Sequence, residues 1–420
     1  MIGDADNDRM TSNLLRSPRR FHGWWVVAAA FSVMFLGFGS AYTFSAFIAP
    51  LQQEFAASRG SVSLVFSLAG FLYFGLGVLS GPLADRWGVR RLAMAGMLLT
   101  GCGMALAGMA RSLTGVSLAY GLGVGLGIGC SYVPAVAVVQ RWFLRRRGFA
   151  SGLAVSGIGV GTLVMPSVAA RLIDAIGWRW AYAAIGATVS IVGMSMASLI
   201  VDDPSEHGAA PDGDAGLPQH STAPRAGTRL RDAVRSRPFI VLYAACLICG
   251  FGVFVPFVHL VPYAVAHGAT LSSAVLLLGV IGVGSTAGRF FLGGLADRIG
   301  RRATLSGAFI GMALSLAVWA SSTSLPGLTA FAFTYGVFYG GWVAVLPSVV
   351  MDQFGGRQLS SIIGALYTSV AFGTLIGPSA VGFAFDASGS YLVPIIACAA
   401  LNIVAATIVS TSFTRPEDRG

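Results

Sequence analysis

The sequence contains repeated apolar stretches, each long enough to cross a lipid bilayer as a helix and separated from the next by a short polar gap. A membrane-spanning helix needs about 20 mostly apolar residues. Hydrophobic residues make up 55% of the chain and charged residues 10%, whereas a soluble protein carries about 25% charged residues. A single soluble core cannot bury this much apolar surface. Much of that surface must therefore face lipid.

These stretches predict an all-α membrane protein with twelve transmembrane helices. Helices are expected because backbone in contact with lipid must satisfy its own hydrogen bonds. The sequence lacks the short alternating strands that are typical of a membrane β-barrel. The predicted spans are 24–50, 61–84, 92–110, 114–140, 148–170, 178–200, 238–266, 272–296, 303–322, 327–351, 359–383 and 391–413.

The arginines predict how the chain is oriented. All 27 positively charged side chains are arginine, and 22 of them lie on one side of the membrane if the N-terminus is cytoplasmic. Four lie on the opposite side, at Arg59, Arg111, Arg171 and Arg179. Because cytoplasmic loops carry the excess of positive charge, we expect both termini in the cytoplasm. This placement accounts for the net charge of +10 better than nucleic-acid binding does.

Two sequence segments repeat at one offset. Gly81 to Arg90 recurs as Gly293 to Arg302, and Gly161 to Pro166 recurs as 373–378, each 212 residues later. Two independent matches at the same offset indicate two parallel six-helix halves, related by an axis along the membrane normal.

The repeat predicts five domains in the chain. They are an N-terminal cytoplasmic tail (1–23), an N-terminal six-helix bundle (24–200), a cytoplasmic linker (201–237), a C-terminal six-helix bundle (238–413) and a C-terminal cytoplasmic tail (414–420). The linker begins with an acidic segment rich in glycine, alanine and proline, a composition typical of disorder. Its basic end, 225–237, is compatible with a short amphipathic helix on anionic lipid or with a solvated tether.

The segment Gly81 to Arg90 and its copy resemble the Gly-x-Leu-x-Asp-Arg-x-Gly-x-Arg signature of the major facilitator superfamily. The resemblance covers nearly the whole chain and implies two bundles that rock around a midplane site. It also implies a conformational latch on the cytoplasmic side, because a carboxylate near a helix N-terminus can pair with neighbouring cations. The alternative is that these charges only fix the topology. The predicted latch residues are Asp85, Arg86, Arg141, Asp297 and Arg298.

Two further segments, His22 to Val27 and Trp142 to Ala154, resemble the monocarboxylate porter family. That family includes bacterial oxalate/formate antiporters and lactate/pyruvate proton symporters. The resemblance implies a secondary transporter of small monocarboxylates, with proton-coupled symport by alternating access. The alternatives are organic-anion exchange and export of drugs or metabolites. A transport-like sensor would have only the linker to signal through.

We therefore expect a small carboxylate, a proton and membrane lipid as partners, and no nucleic acid. The chain is expected to act as a monomer in a bacterial cytoplasmic (inner) membrane.

Arg289 is the one full charge well inside a predicted span. An arginine at mid-membrane costs about 2.5 kcal/mol or more and is a functional candidate by default. Asp297 follows eight residues later, which is about 12 Å along a helix, so Arg289 lies toward the middle. Its planar guanidinium suits a carboxylate, and its position resembles that of the family's eighth-helix arginine. The alternatives are that it snorkels to the surface or pairs with a fixed neighbour.

His259 and five tyrosines are further candidates for the substrate site. A histidine can change charge near physiological pH, and this one lies between two prolines, which kink a helix. His259 is predicted either to contact the substrate and carry the coupled proton or to hydrogen-bond a freed backbone carbonyl. The tyrosine hydroxyls are predicted either to bind the carboxylate or only to pack. These tyrosines are Tyr42, Tyr132, Tyr335, Tyr339 and Tyr367.

The sequence departs from the family pattern at three places. Eukaryotic members carry a lysine in the first helix, where this chain has Ala41, Tyr42 and Thr43. They also carry a carboxylate four residues before the arginine, where this chain has Ser285. The oxalate-type antiporters carry a second cation in the eleventh helix, and 361–374 contains none. A single cation favours a monoanion, and the missing carboxylate leaves either His259 or the substrate to carry the proton.

No enzymatic activity, cofactor or metal site is expected. The alternating glycines from Gly121 to Gly129 resemble a nucleotide-binding loop only superficially, because no strand precedes them. Close packing of helices in lipid explains them better. Cys246 and Cys249 have a redox-like spacing but lie in an apolar helix, where they are expected to pack as small apolar side chains.

Overall fold

The computed structural model describes residues 21–143, 147–204, 212, 227–355 and 358–412. The predicted N-terminal tail up to residue 20, most of the acidic part of the linker and the predicted C-terminal tail lie outside the described residues. The described chain is almost entirely helical, and eleven of its helical segments are long and apolar enough to cross a membrane. One of these segments contains two crossings, so the helices number twelve.

The N-terminal half contains six helices, two of which are interrupted. Helices α5 and α6 run together through Arg147–Thr188, and Gly177, with φ 78°, forms the turn between them. Helix α6 continues through a π-helical turn, Val189–Gly193, to Met194–Ala197. The other four are α1 (Gly23–Tyr42 and Phe44–Phe55), α2 (Arg59–Gly75 and Gly77–Trp87), α3 (Val89–Met109) and α4 (Leu113–Trp142).

The C-terminal half repeats this arrangement. Its first helix is again interrupted, and the remaining five are continuous. The helices are α7 (Arg237–Val253 and Val255–Ala266), α8 (Leu271–Ile299), α9 (Arg301–Ser321), α10 (Leu325–Phe354), α11 (Leu359–Ser388) and α12 (Leu392–Ser412).

The repeated signature segments form helix ends rather than loops. Helices α2 and α8 continue past their predicted ends at 84 and 296 to Trp87 and Ile299. Each then stops at a glycine with positive φ, Gly88 at 83° and Gly300 at 92°. Glycine takes this conformation without steric cost, so the chain can turn sharply into the next helix. We call this end of the bundle the signature end.

Each half contains a buried tyrosine that stabilises its interrupted first helix. A backbone carbonyl freed at an interruption needs another hydrogen-bond partner when it is buried. The Tyr120 hydroxyl donates to the Ala41 carbonyl at 2.9 Å, and the Tyr335 hydroxyl donates to the Val253 carbonyl at 2.8 Å. The two carbonyls are again 212 residues apart. The sequence repeat is therefore also a repeat of backbone interruptions and of the side chains that satisfy them.

Equivalent helices pack in equivalent ways in the two halves. In the first half α1 packs on α5 and α3 packs on α4; in the second half α7 packs on α11 and α9 packs on α10. Two helix pairs, α2 with α11 and α5 with α8, form most of the interface between the halves. The 212-residue offset exchanges these two pairs, so the interface has the same approximate twofold symmetry as the sequence.

The linker meets the C-terminal half at the signature end. The Thr228 backbone N–H donates to the Phe354 carbonyl at 2.8 Å, and the Leu230 N–H donates to the Gln358 side chain at 2.6 Å. The helix at the basic end of the linker spans only Leu230–Ala233. Contacts with the α10–α11 connection thus hold this part of the linker.

The alternating glycines of α4 serve close packing on two neighbours. Gly121, Gly125 and Gly129 approach α2, whereas Gly123 and Gly127 approach α3. A Cβ atom at Gly123 would lie 2.3 Å from a Cα atom of α3. Small residues let helix backbones come this close in a membrane, so the expected packing role is confirmed.

Substituting Gly123→Ala should lower the unfolding temperature, because the new methyl group would collide with the α3 backbone. Overpacking of this kind costs about 1–3 kcal/mol. The matched control is Gly307→Ala in α9, where an added Cβ meets no atom within 4 Å and alanine favours the helix. Thermal unfolding of the purified protein in detergent measures both variants. Equal unfolding temperatures would contradict the close approach of α3 and α4.

Candidate functional site

A small cavity lies between the two halves. The N-terminal half contributes Phe38, Tyr42, Phe74, Tyr132 and Ile158 to its wall. The C-terminal half contributes Arg289, Tyr339, Trp342, Val343, Leu346 and Tyr367. Arg289 is the one charged residue among them. Because both halves build the wall, relative movement of the halves changes the cavity.

Arg289 points into this cavity from α8. Its Nη1 atom donates to the Val155 carbonyl of α5 at 2.8 Å, a hydrogen bond that joins the two halves. Its Nε atom is buried and has no hydrogen-bond partner. Within the described part of the chain no carboxylate pairs with Arg289, whereas Arg179 pairs with Glu54 at 2.8 Å. Arg289 therefore retains a positive charge and an unused donor at the cavity.

Four of the five predicted tyrosines line the cavity together with Arg289. Tyr42 and Tyr339, one from each half, are 1% and 6% exposed. Tyr132 packs edge-on against Phe38, with ring centroids 5.0 Å apart. Tyr367 also lines the wall. The site thus combines one guanidinium with several phenol groups on an otherwise apolar surface.

Ser285 lies one helical turn before Arg289 on α8. Its side chain is 3% exposed, and the hydroxyl has no hydrogen-bond partner. A carboxylate at this position would be one turn from the guanidinium, where opposite charges on a helix interact. A neutral serine leaves the charge of Arg289 uncompensated from its own helix.

His259 and Tyr335 do not line the cavity. His259 is 1% exposed, with Nε2 at 2.8 Å from the Pro378 carbonyl and Nδ1 at 3.1 Å from the Tyr391 hydroxyl. The Tyr335 hydroxyl is used at the interruption of α7. In both residues this geometry accounts for the polar side-chain atoms without a substrate, since each of these atoms already has a protein partner. Direct contact with a substrate is not supported by this arrangement.

The predicted latch is only partly described. Arg86, Arg141 and Arg298 are exposed at the signature end. The side chains of Asp85 and Asp297 lie outside the described residues, so the latch remains a prediction.

Several cavity residues had no distinguishing signal in the sequence. Phe74, Ile158, Trp342, Val343 and Leu346 are apolar residues of apolar helices, and either lipid or a cavity suits them. The interruption of α7 lies at Phe254, five residues before His259. The helix is therefore continuous at His259, the predicted proton carrier.

Comparison with known proteins agrees with this architecture. The family model described as Major Facilitator Superfamily matches residues 29–295 and 260–420. Monocarboxylate transporter 12 of Rattus norvegicus is 28% identical over 402 residues, covering 90% of this chain and 82% of the relative. Monocarboxylate transporter 11 of Mus musculus is 29% identical over 413 residues, covering 96% and 89%.

Solved structures share the fold. A bacterial homologue of the human lysosomal transporter Spinster, in an inward-facing and unoccupied conformation, superimposes with a TM-score of 0.70 at 16% identity. The match covers 94% of this chain and 99% of that one. The predicted fold of twelve helices is confirmed. The chain belongs to the major facilitator superfamily and is a membrane transporter of a family like that of the monocarboxylate transporters.

Proposed function

We propose that this transporter carries small monocarboxylates of the lactate or pyruvate type by alternating access, in symport with a proton. The observation that carries the proposal is the uncompensated guanidinium of Arg289 at a cavity formed by both halves. The names of the relatives, monocarboxylate transporters 11 and 12, support the same substrate class.

A carboxylate supplies what Arg289 lacks. Its two oxygens accept hydrogen bonds from a guanidinium in a planar, often bidentate arrangement. The buried Nε atom has no acceptor in the protein, and an unsatisfied buried donor costs free energy. An anionic substrate would satisfy the donor and neutralise the charge at once, whereas a cation would be repelled.

The walls of the cavity favour a small, singly charged substrate. The lining contains one cation, so one negative charge balances the site. The remaining lining is aromatic or aliphatic apart from its tyrosine hydroxyls and the indole N–H of Trp342. These hydroxyls can donate to a second carboxylate oxygen or to the hydroxyl or keto group of the substrate.

His259 is the proposed carrier of the coupled proton. Ser285, one helical turn before Arg289, has no group that takes up a proton. His259 lies close to the interface between the halves, because Tyr391, its partner, also accepts a hydrogen bond from Arg59 of the other half. A proton on His259 would change a network that spans both halves without contact between the histidine and the substrate.

Exchange of organic anions is the second candidate function. No described carboxylate neutralises Arg289 when the site is empty, and an unpaired charge away from bulk water is costly. Reorientation of the loaded carrier would then be faster than reorientation of the empty one. This favours one anion leaving as another enters.

The substitution Arg289→Gln should abolish uptake of labelled lactate, because it removes the charge while keeping a polar side chain. Loss of one partner of a buried ion pair costs about 3–5 kcal/mol, so uptake should fall about 100-fold or more. Arg171→Gln, which removes an exposed arginine from the same chain, is the matched control. Uptake by reconstituted protein in liposomes measures both, and retained uptake in Arg289→Gln would exclude Arg289 from the site.

Symport and exchange predict different responses of that uptake. In symport, an acidic exterior should accelerate lactate entry into liposomes without internal substrate. In exchange, internal unlabelled lactate should accelerate entry whether or not a proton gradient is present. We expect acceleration by the proton gradient, and His259→Gln should remove that acceleration while lactate counterflow persists. Uptake that responds only to internal lactate would replace symport with exchange.

A further inference from the structure

The end of the bundle opposite the signature end contains a carboxylate that caps a helix of the other half. Asp386, near the end of α11, accepts hydrogen bonds from the backbone N–H groups of Arg59, at 3.1 Å, and Gly60, at 2.8 Å. These residues begin α2, where the first N–H groups of a helix lack intrahelical partners. A negative charge is also favourable at this positive end of the helix dipole. Asp386 therefore stabilises α2 only while the halves are together.

The Arg59 side chain makes a second link to the C-terminal half. Its Nη1 atom donates to the Tyr391 hydroxyl at 2.9 Å. Its guanidinium carbon lies 4.2 Å from the ring centroid of Phe385, a cation–π geometry. Arg59 thus reaches the segment between α11 and α12, next to the residue that caps its backbone.

His259 holds Tyr391 in position through a chain of hydrogen bonds that run in one direction. The Pro378 carbonyl can only accept, so the Nε2 atom of His259 must carry the proton that it donates. In neutral histidine, Nδ1 then accepts from the Tyr391 hydroxyl. That hydroxyl oxygen accepts in turn from Arg59. One tautomer of a neutral imidazole therefore satisfies every group in the chain.

Most of the hydrogen bonds that join the two halves within the described part of the chain involve the N-terminal part of α2. Among the described residues, five hydrogen bonds join the two halves, and four involve α2 from Arg59 to Ser67. The fourth of these is donated by Ser379 to Ser67 at 2.9 Å. Near the signature end of α8, by contrast, an added Cβ at Gly293 or Gly294 would meet no atom within 4 Å.

We propose that Asp386 and Arg59 form a gate that closes the end of the transporter opposite the signature loops. Tyr391 and His259 are positioning residues that fix the Arg59 side chain. Opening this end of the cavity requires the first N–H groups of α2 to lose their contact with Asp386 and Arg59 to leave Tyr391. By the predicted orientation, this gate faces the outside of the cell.

The cap differs from a side-chain ion pair in a way that can be tested. Asp386 contacts backbone N–H groups rather than the Arg59 side chain. Exchanging the residues at 59 and 386 would therefore place the new cation of position 386 against those N–H groups and would not restore the contact. Asparagine keeps a side-chain oxygen that can accept from these N–H groups, whereas alanine has none. We therefore expect Asp386→Asn to retain part of the gate and Asp386→Ala to lose it.

Distances between spin labels at this end measure the state of the gate without any substrate. Labels at Arg111→Cys and Thr323→Cys report on the two halves from exposed loop positions, with Cys102 and Cys130 replaced by serine. Cys246, Cys249 and Cys398 are buried. Pulsed electron–electron resonance on the full chain in liposomes then gives the distance distribution. Asp386→Ala should raise the ratio of long to short distances by about fivefold or more, because it removes two hydrogen bonds to a charged carboxylate.

Asp352→Ala is the matched control, because it removes a carboxylate paired with Arg301 at the signature end. It should leave the distribution unchanged. Tyr391→Phe removes one hydroxyl and should shift the distribution in the same direction as Asp386→Ala, so it decides the matter if the alanine variant does not fold. Distributions for both variants that match the control would overturn the gate. Loss of carboxylate uptake in Arg289→Gln has no bearing on this result, so the two proposals fail independently.

Discussion

Backbone inside a bilayer must find its hydrogen bonds within the protein, and the other features of this molecule follow from that constraint. It makes every crossing a helix. It also requires a partner wherever a helix is interrupted, which Tyr120 and Tyr335 provide for α1 and α7. Among the buried side-chain atoms that lack a hydrogen-bond partner in the described residues, the Nε atom of Arg289 is the one that belongs to a fully charged group. An unsatisfied charged donor in such a place costs free energy, which supports the proposal that an anion binds there.

The sequence predicted the fold because the fold is recorded in local and repeated signals. Long apolar stretches define the helices, and a constant offset of 212 residues defines the two halves. Arg289 was also predictable, since a full charge within an apolar span is rare and costly. The join between α5 and α6 was placed correctly, because the polar residues around Gly177 interrupt the apolar pattern.

His259 shows where such reasoning stops. Its partners, Pro378 and Tyr391, lie 119 and 132 residues away, and no local pattern reports that contact. The same holds for Phe74 and Trp342. An apolar side chain in a membrane span gives the same sequence pattern whether it faces lipid, a neighbouring helix or a cavity. Sequence identifies which groups are chemically unusual, whereas only the packing of helices decides which of them share a site.

Two arginines form hydrogen bonds between the halves, each at a different helix–helix interface. Arg289 links α8 to α5 through the Val155 carbonyl, and Arg59 links α2 to the C-terminal half through Tyr391. The proposed carboxylate would compete with that carbonyl for the guanidinium and would so weaken or redirect the α5–α8 link. The same two halves form both interfaces. A weaker α5–α8 interface therefore changes the free-energy difference between the orientation in which Arg59 and Asp386 keep their contacts with the other half and the orientation in which they lose them. A bound substrate can thereby influence the proposed gate without a chain of contacts between the two places. Both the cavity and the gate depend on the relative orientation of the halves, and a ligand that favours one orientation shifts its population.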